Sequence, residues 1–327
     1  MKADLPGLRD IEEAEGRIRK YLPETPLQQS AGVSELLRRP TYLKLECFNP
    51  IRVFKLRGAL NRLLTMGDSE LKKGIVTASS GNHGLAIAYA SRMFGVQATV
   101  CVPENVNPQK LRAIKEQGAK ILKSGTSYDE TYEAAVSTAR RTGKTLIHAF
   151  DDREVIAGQG TCGLEMARQL PEMDAAVVAI GGGGLISGIS IALKASLDRV
   201  SVYGAETKAI PSMARSLEDG KRVRVEPRPT IADGMQAATP GVLTFEAASR
   251  FVDKVGLVGD DEIEDAIFDL LTRGRVLAEP AGASPLAALK GPLKGVRARK
   301  PVLVVSGGNI SLQLLASVIR KRTKGTT

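Results

Sequence analysis

The chain has 327 residues, a formal net charge of +10, no tryptophan and three cysteines. That length allows a large core and about two domains. Cys47, Cys101 and Cys162 form no CxxC pair, which argues against a disulfide framework or a cysteine zinc site, and no apolar stretch is long enough to cross a bilayer.

Apolar spacing predicts a charged helix over 11–21, an alternating strand over 41–46 and a helix over 54–66. A strand at 75–78, a helix at 82–94, a strand at 98–102 and helices at 108–117 and 127–142 follow. Next come a strand at 145–147, a helix at 157–170, a strand at 175–180 and a helix at 185–194. A strand at 200–205 precedes a Pro-, Arg- and Gly-rich stretch over 220–241, which reads as an irregular loop. A helix at 260–275, a strand at 301–305 and a helix from about 312 close the chain. This alternation predicts an α/β fold, a parallel sheet with helices on its faces. The positive charge is interleaved with acids, and its densest cluster, 320–324, reads as a solvated tail, so nucleic acid is not expected as a partner. The first ten residues lack the apolar region of a secretory signal, and with the separated cysteines this predicts a cytoplasmic protein without membrane attachment.

Three predicted strands end in Gly-rich turns that open helices: Ser79-Ser-Gly-Asn-His-Gly84, Gly181 to Gly184, and Ser306-Gly-Gly-Asn309. Ligands of open α/β sheets bind at the carboxyl ends of strands, so these turns could line one cleft. Gly181, Gly182, Gly183 and Gly184 let backbone approach a ligand closely. The helix that follows turns its free N–H groups and positive dipole end to the same place, which makes a phosphate site. A flexible linker or a close-packing turn is the plainer reading, but linkers are usually polar on both sides and this run is bracketed by apolar segments. It does not satisfy G-x-G-x-x-G, and no Walker lysine follows it. With only His83 and His148 in the chain, a histidine zinc site is not expected. Lys55 opens a predicted helix; such a lysine is ordinarily solvated, whereas a desolvated one has a lowered pKa and forms Schiff bases.

Six ordered motifs carry a resemblance over residues 25–314. They are Phe54-Lys-Leu-Arg-Gly-Ala59, Ser79-Ser-Gly-Asn-His-Gly84, Ile156-Ala-Gly-Gln-Gly-Thr161, Gly181-Gly-Gly-Gly-Leu185, Glu279-Pro-Ala-Gly-Ala283 and Ser306-Gly-Gly-Asn309. Together they resemble the fold-type II pyridoxal-phosphate enzymes, in the threonine/serine dehydratase and serine racemase branch. The resemblance implies pyridoxal 5′-phosphate as cofactor, held covalently by Lys55. Phe54, Asn82, Gly181 to Gly184, Leu185, Glu279, Ser306 and Gly307 would surround it, with Asn82 on the ring 3′-oxygen and Ser306 facing the ring nitrogen. Ser79, Ser80, Gly81, Asn82 and His83 would receive the amino-acid carboxylate, and Ser80 matches the second base of the racemases. A plain N-cap is the alternative for Ser79. The implied activity is β-elimination from L-threonine or L-serine to a 2-oxo acid and ammonia, with a racemase or a dehydratase of another β-hydroxy amino acid, such as hydroxyaspartate, as alternatives. It also implies a homodimer or higher homo-oligomer. The fold it implies is α/β, with two open, twisted, mostly parallel sheets flanked by helices, in which a large domain of residues 1–72 and 148–327 would enclose a small domain of 73–147.

Three features depart from the family pattern. Where Pro-Thr-Gly-Ser-Phe-Lys is common, this chain reads Pro50-Ile-Arg-Val-Phe-Lys55, and Arg52 is expected to point to solvent. Glu206 occupies a strand end where racemase-like members hold a divalent cation, but Ser212 stands about where an Asp ligand would be, so a metal is left unassigned. The chain ends soon after Ser306, so feedback inhibition through a C-terminal regulatory domain is not expected.

Overall fold

The structure, a computed structural model, describes residues 4–106 and 108–323. α1 (Leu8–Ile18) buries Ile11, Ala14 and Ile18 along one face. β1 (Leu27–Gln29), α2 (Ala31–Leu37), β2 (Tyr42–Leu45) and α3 (Lys55–Leu64) follow. The next stretch contains α4 (Asp68–Lys73), β3 (Ile75–Ala78), α5 (Asn82–Met93), β4 (Ala98–Val102), α6 (Pro108–Lys115), β5 (Lys120–Lys123), α7 (Tyr128–Thr142) and β6 (Thr145–Leu146). Its strands pair only with one another, as a parallel sheet in the order β5-β4-β3-β6. α8 (Arg153–Gln169) leads back to a larger sheet through β7 (Ala175–Ala179), α9 (Gly184–Ser196), β8 (Ser201–Thr207), α10 (Ser212–Asp219), α11 (Val242–Phe251) and β9 (Lys254–Val258). α12 (Asp260–Thr272), α13 (Pro280–Lys290), β10 (Pro301–Val305) and α14 (Leu312–Thr323) complete it. That sheet runs β1-β2-β10-β7-β8-β9, with β1 antiparallel to β2 and the other pairs parallel. Strands covered by helices are what the alternation predicted, and two mostly parallel sheets are the architecture the resemblance implied.

The elements that sequence spacing missed have physical reasons in common. α13 is buried from Pro280 to Leu289 against the larger sheet, so it has no polar face and no helical period to detect. Its Pro280 sits at the first helical position, where a proline costs no hydrogen bond. β5 and β9 are edge strands that begin with lysine, and β9 contains Gly256, features that weaken a strand signal. The basic cluster near the C-terminus is not a solvated tail. Arg320, Lys321 and Arg322 lie in the last turn of α14, where Lys321 pairs with Asp261 and Glu264, both at 2.6 Å, and Arg322 with Asp265 at 3.0 Å. Lys324 and residues 1–3 lie outside the described residues.

β2 also departs from the ordinary meaning of alternation. Lys44 and, just past the strand, Glu46 are fully buried, as are Leu43 and Leu45. An alternating strand usually has one wet face, but an interior strand of a sheet covered by helices has none.

Candidate active site

Backbone pairing carries Lys55 to the end of β10. Phe54 N donates to Ser306 O at 3.0 Å, Val53 forms a bridge with Gly307, and Gly308 N donates to Arg52 O at 2.9 Å. Lys55 is therefore the first residue of α3 and also the neighbour of the Ser306 turn. Its Nζ donates to Ala149 O at 2.8 Å and stands 5.2 Å from the centroid of the Phe54 ring. Burial lowers its pKa from 10.5 to about 8, because the charged form loses its water. The solvated reading of this lysine fails; it is a desolvated amine with a usable neutral fraction.

Arg52 is exposed, as expected, and its φ of 60° is left-handed. The family's common glycine at this position meets the same backbone requirement, and here arginine meets it at a cost of about 1–2 kcal/mol.

The tetraglycine run joins β7 to α9, with Gly183 as the N-cap at φ 94°. Each glycine is enforced by a neighbour. A Cβ on Gly181 would fall 2.5 Å from Gly234 O, on Gly182 2.2 Å from the Phe150 ring, on Gly183 2.8 Å from Met213 and on Gly184 3.1 Å from Phe150 Cβ. Thr244 Oγ1 further fixes the run by donating to Gly182 O at 2.7 Å. The result is a rigid backbone turn opening α9, with Leu185 buried behind it.

The third turn faces α5. Asn82 Nδ2 donates to Glu279 Oε1 and Oε2 at 2.8 and 3.0 Å, and Asn82 Oδ1 accepts from Asn309 Nδ2 at 3.0 Å. Glu279, the N-cap of α13, donates its backbone N–H to Gly307 O at 2.9 Å and accepts from Asn309 N at 3.2 Å. Ser79 is not an N-cap: its Oγ accepts from Gly81 N at 3.2 Å, and Gly81 caps α5 without a side chain. Ser80 lies half-buried between them, and Asn82, His83 and Gly84 form the first turn of α5. His83 is buried, and burial holds its pKa well below 6.5, aided by Lys55 and His148 and opposed by a weak hydrogen bond to the backbone of Ile147. Ser306 Oγ is buried without a hydrogen-bond partner among the described residues.

Glu206 stands near the end of β8, where its side chain reaches the first turn of α10. Its two carboxylate oxygens accept from Met213 N at 2.8 Å and Ala214 N at 2.9 Å, while Ser212 Oγ donates to Ala237 O at 2.7 Å. Burial raises the Glu206 pKa to about 7, against those two donors.

A sequence model described as pyridoxal-phosphate dependent enzyme matches residues 18–308. The chain belongs to that family. It is 41% identical to the L-threonine ammonia-lyase of Thermotoga maritima over 314 residues, 96% of this chain and 78% of that protein. Among solved structures it is similar to maize serine racemase, with a TM-score of 0.91, 34% identity and 98% of each chain covered. It is also similar to threonine deaminase isoform 2 of Solanum lycopersicum, with a TM-score of 0.89, 31% identity, and 98% of this chain and 95% of that one covered.

The residues present fit the family's cofactor. A backbone turn that admits no Cβ suits a phosphate, the orphaned Ser306 hydroxyl suits a ring nitrogen, and the desolvated Lys55 amine suits a carbonyl carbon. Two contributors were not visible in the sequence. The segment between β6 and α8 supplies Ala149 O to Lys55 and the Phe150 ring to the glycines; Phe150 is also edge-to-face with His148, centroids 4.5 Å apart. The stretch before α11 supplies Gly234 O, and Asp151 accepts from Val242 N and Leu243 N, both at 2.8 Å, to cap that helix beside the site. Asp151-Asp152 before a helical pattern was the available signal, since Asp152 caps α8 through Glu154 N and Val155 N.

Proposed function

We propose that this enzyme is an ammonia-lyase that releases ammonia from L-threonine and L-serine and leaves the 2-oxo acid, the water lost from Cβ being regained when the C–N bond is hydrolysed. The observation that carries this reading is the pairing of a desolvated Lys55 amine with a neutral hydroxyl, Ser306, where the cofactor's ring nitrogen would lie. Bound pyridoxal phosphate supplies an electron sink for breaking the Cα–H bond. Phe54, Leu185, Glu279 and Gly307 would surround the cofactor, Asn82 would orient the ring oxygen, and Gly181 to Gly184 would hold the phosphate through backbone N–H groups. The first turn of α5, with Ser79, Ser80, Gly81, Asn82 and His83, receives the substrate carboxylate through the helix N-terminus. Lys55 Nζ takes the Cα proton, and Ala149 O accepts a hydrogen bond from the ammonium so formed. Unlike a carboxylate, a hydroxyl at Ser306 does not hold the ring nitrogen protonated. A bound cofactor would then be a weaker electron sink, which would favour loss of the β-hydroxyl over reprotonation at Cα. Overall, the Cα–H and Cβ–O bonds break, and hydrolysis of the remaining C–N bond releases ammonia.

The likeness to maize serine racemase supports a second reading, in which Ser80 donates a proton to the opposite face of Cα. A two-domain arrangement around the cleft, a homodimer or higher homo-oligomer and a cytoplasmic location complete the proposal; among the described residues no helix is long and apolar enough to cross a membrane. The test is a panel of β-hydroxy amino acids, including threonine, serine and hydroxyaspartate, scored for 2-oxo acid and for chirality. Faster 2-oxo acid than D-amino acid from L-threonine or L-serine is expected. D-serine accumulating faster than pyruvate would reverse the order of the two readings.

A further inference from the structure

Four charges are buried together behind Lys55. Arg57 Nε and Nη2 donate to Glu46 Oε2 and Oε1 at 2.7 and 2.8 Å, and Nη1 and Nη2 donate to Glu165 Oε1 and Oε2, both at 2.8 Å. Thr161 Oγ1 at 2.9 Å and Thr25 Oγ1 at 3.2 Å complete its guanidinium. Lys44 Nζ donates to Glu165 Oε2 at 2.5 Å, Thr25 O at 2.8 Å and Gln169 Oε1 at 2.9 Å. No side chain of the quartet is more than 3% exposed.

Stability is a weak reason for such a cluster, because desolvating four charges costs as much as their attraction returns, and apolar replacements often do as well. Geometry is the stronger reason. Glu46 follows β2, Glu165 is on α8 and Arg57 is in the first turn of α3, so a planar fork ties three elements at fixed angles. α3 needs such a tie, since Phe54 caps it with no side-chain hydrogen bond. Its crossing with α8 is also tight: a Cβ on Gly58 would fall 2.4 Å from Gln159 Nε2, and one on Gly158 2.7 Å from Arg57 O.

We propose that Arg57 is a positioning residue for Lys55. Its fork clamps the start of α3 between the end of β2 and α8, so that Nζ stands at Ala149 O beside the Ser306 turn. This rests on the reading that Lys55 holds the cofactor. Lys44 provides the control: it shares Glu165 Oε2 and Thr25 with Arg57, so it perturbs the same cluster, but it makes no hydrogen bond to α3 itself.

The experiment compares wild type, Arg57→Lys, Lys44→Met and Lys55→Ala, each freed of cofactor. Thermal melts report folding. Added pyridoxal phosphate, trapped by borohydride and located by peptide mapping, reports the rate of capture at Lys55. Both cluster variants should lose stability, but Arg57→Lys should slow capture by about tenfold or more, as misplacement of a reacting group by a fraction of an ångström does, while Lys44→Met captures near the wild-type rate. A wild-type rate in Arg57→Lys, or slowing in Lys44→Met that matches its stability loss as in Arg57→Lys, would overturn the proposal. If either variant fails to fold, Glu46→Gln takes the place of Arg57→Lys and Gln169→Ala that of Lys44→Met, with the same outcomes decisive. Capture undiminished in Lys55→Ala would instead sink the Lys55 reading itself.

Discussion

The Phe150 ring lies directly on Gly182, where a Cβ would stand 2.2 Å from a ring carbon. The glycine at this point of the phosphate turn therefore serves the packing of an aromatic side chain as much as the approach of an anion. Gly182→Ala should weaken retention of the cofactor and cost about 1–3 kcal/mol of stability through overpacking. Adding Phe150→Ala should return a large part of that stability, because the two changes share one contact. Denaturant midpoints of the single and double variants check this; strict additivity would show that the contact is not the cause.

Ser306 is buried with no hydrogen-bond partner for its hydroxyl among the described residues, so replacing it should act oppositely on the two forms of the protein. In the cofactor-free form, Ser306→Ala removes an unsatisfied polar group and should stabilise by about 1–3 kcal/mol. In the loaded form the same change should hasten cofactor loss and lower kcat. Paired melts with and without pyridoxal phosphate read both signs. A loss of stability in the cofactor-free form would mean that the hydroxyl has a partner there.

Lys55 predicts a pH dependence. Its folded pKa of about 8 lies below the ordinary 10.5 because burial disfavours the ammonium. Only the neutral amine attacks a carbonyl carbon, so capture of pyridoxal phosphate by cofactor-free protein should rise with pH and level off above a midpoint near 8. Stopped-flow absorbance across pH 6 to 10 measures it. A midpoint near 10.5 would place the amine in water.

Glu206 predicts a dependence of the other sign. Its folded pKa, raised by burial to about 7, exceeds the ordinary 4.5, so the folded state holds a proton that the unfolded chain releases. That contribution is fully present below pH 4.5 and is lost as pH rises through about 7, amounting to about 3 kcal/mol at most. Denaturant midpoints of the wild type relative to Glu206→Gln should therefore decline between pH 5 and 8. A flat difference would show that the Met213 and Ala214 N–H groups hold the carboxylate ionised throughout.

Much of the site was legible because its chemistry is local. A run of glycines after an apolar strand states its backbone requirement within a few residues, and Ser306 and Asn82 follow strands in the same way. Arg52 was legible only as a departure; its left-handed φ explains why glycine is common there, and that needed the backbone.

The sequence by itself determined the alternation of strands and helices, the three turns and their motifs, because periodicity and turn chemistry act over short spans. Tertiary structure decided what lies between them. Lys55 has a lowered pKa because residues distant in the chain pack around it and displace water, and Ala149, 94 positions away, accepts its hydrogen bond. Lys44 and Glu46 are buried charges because Arg57 and Glu165 arrive from other elements to pair with them. Burial and pairing depend on contacts distant in the chain, and no local spacing encodes which partner will come.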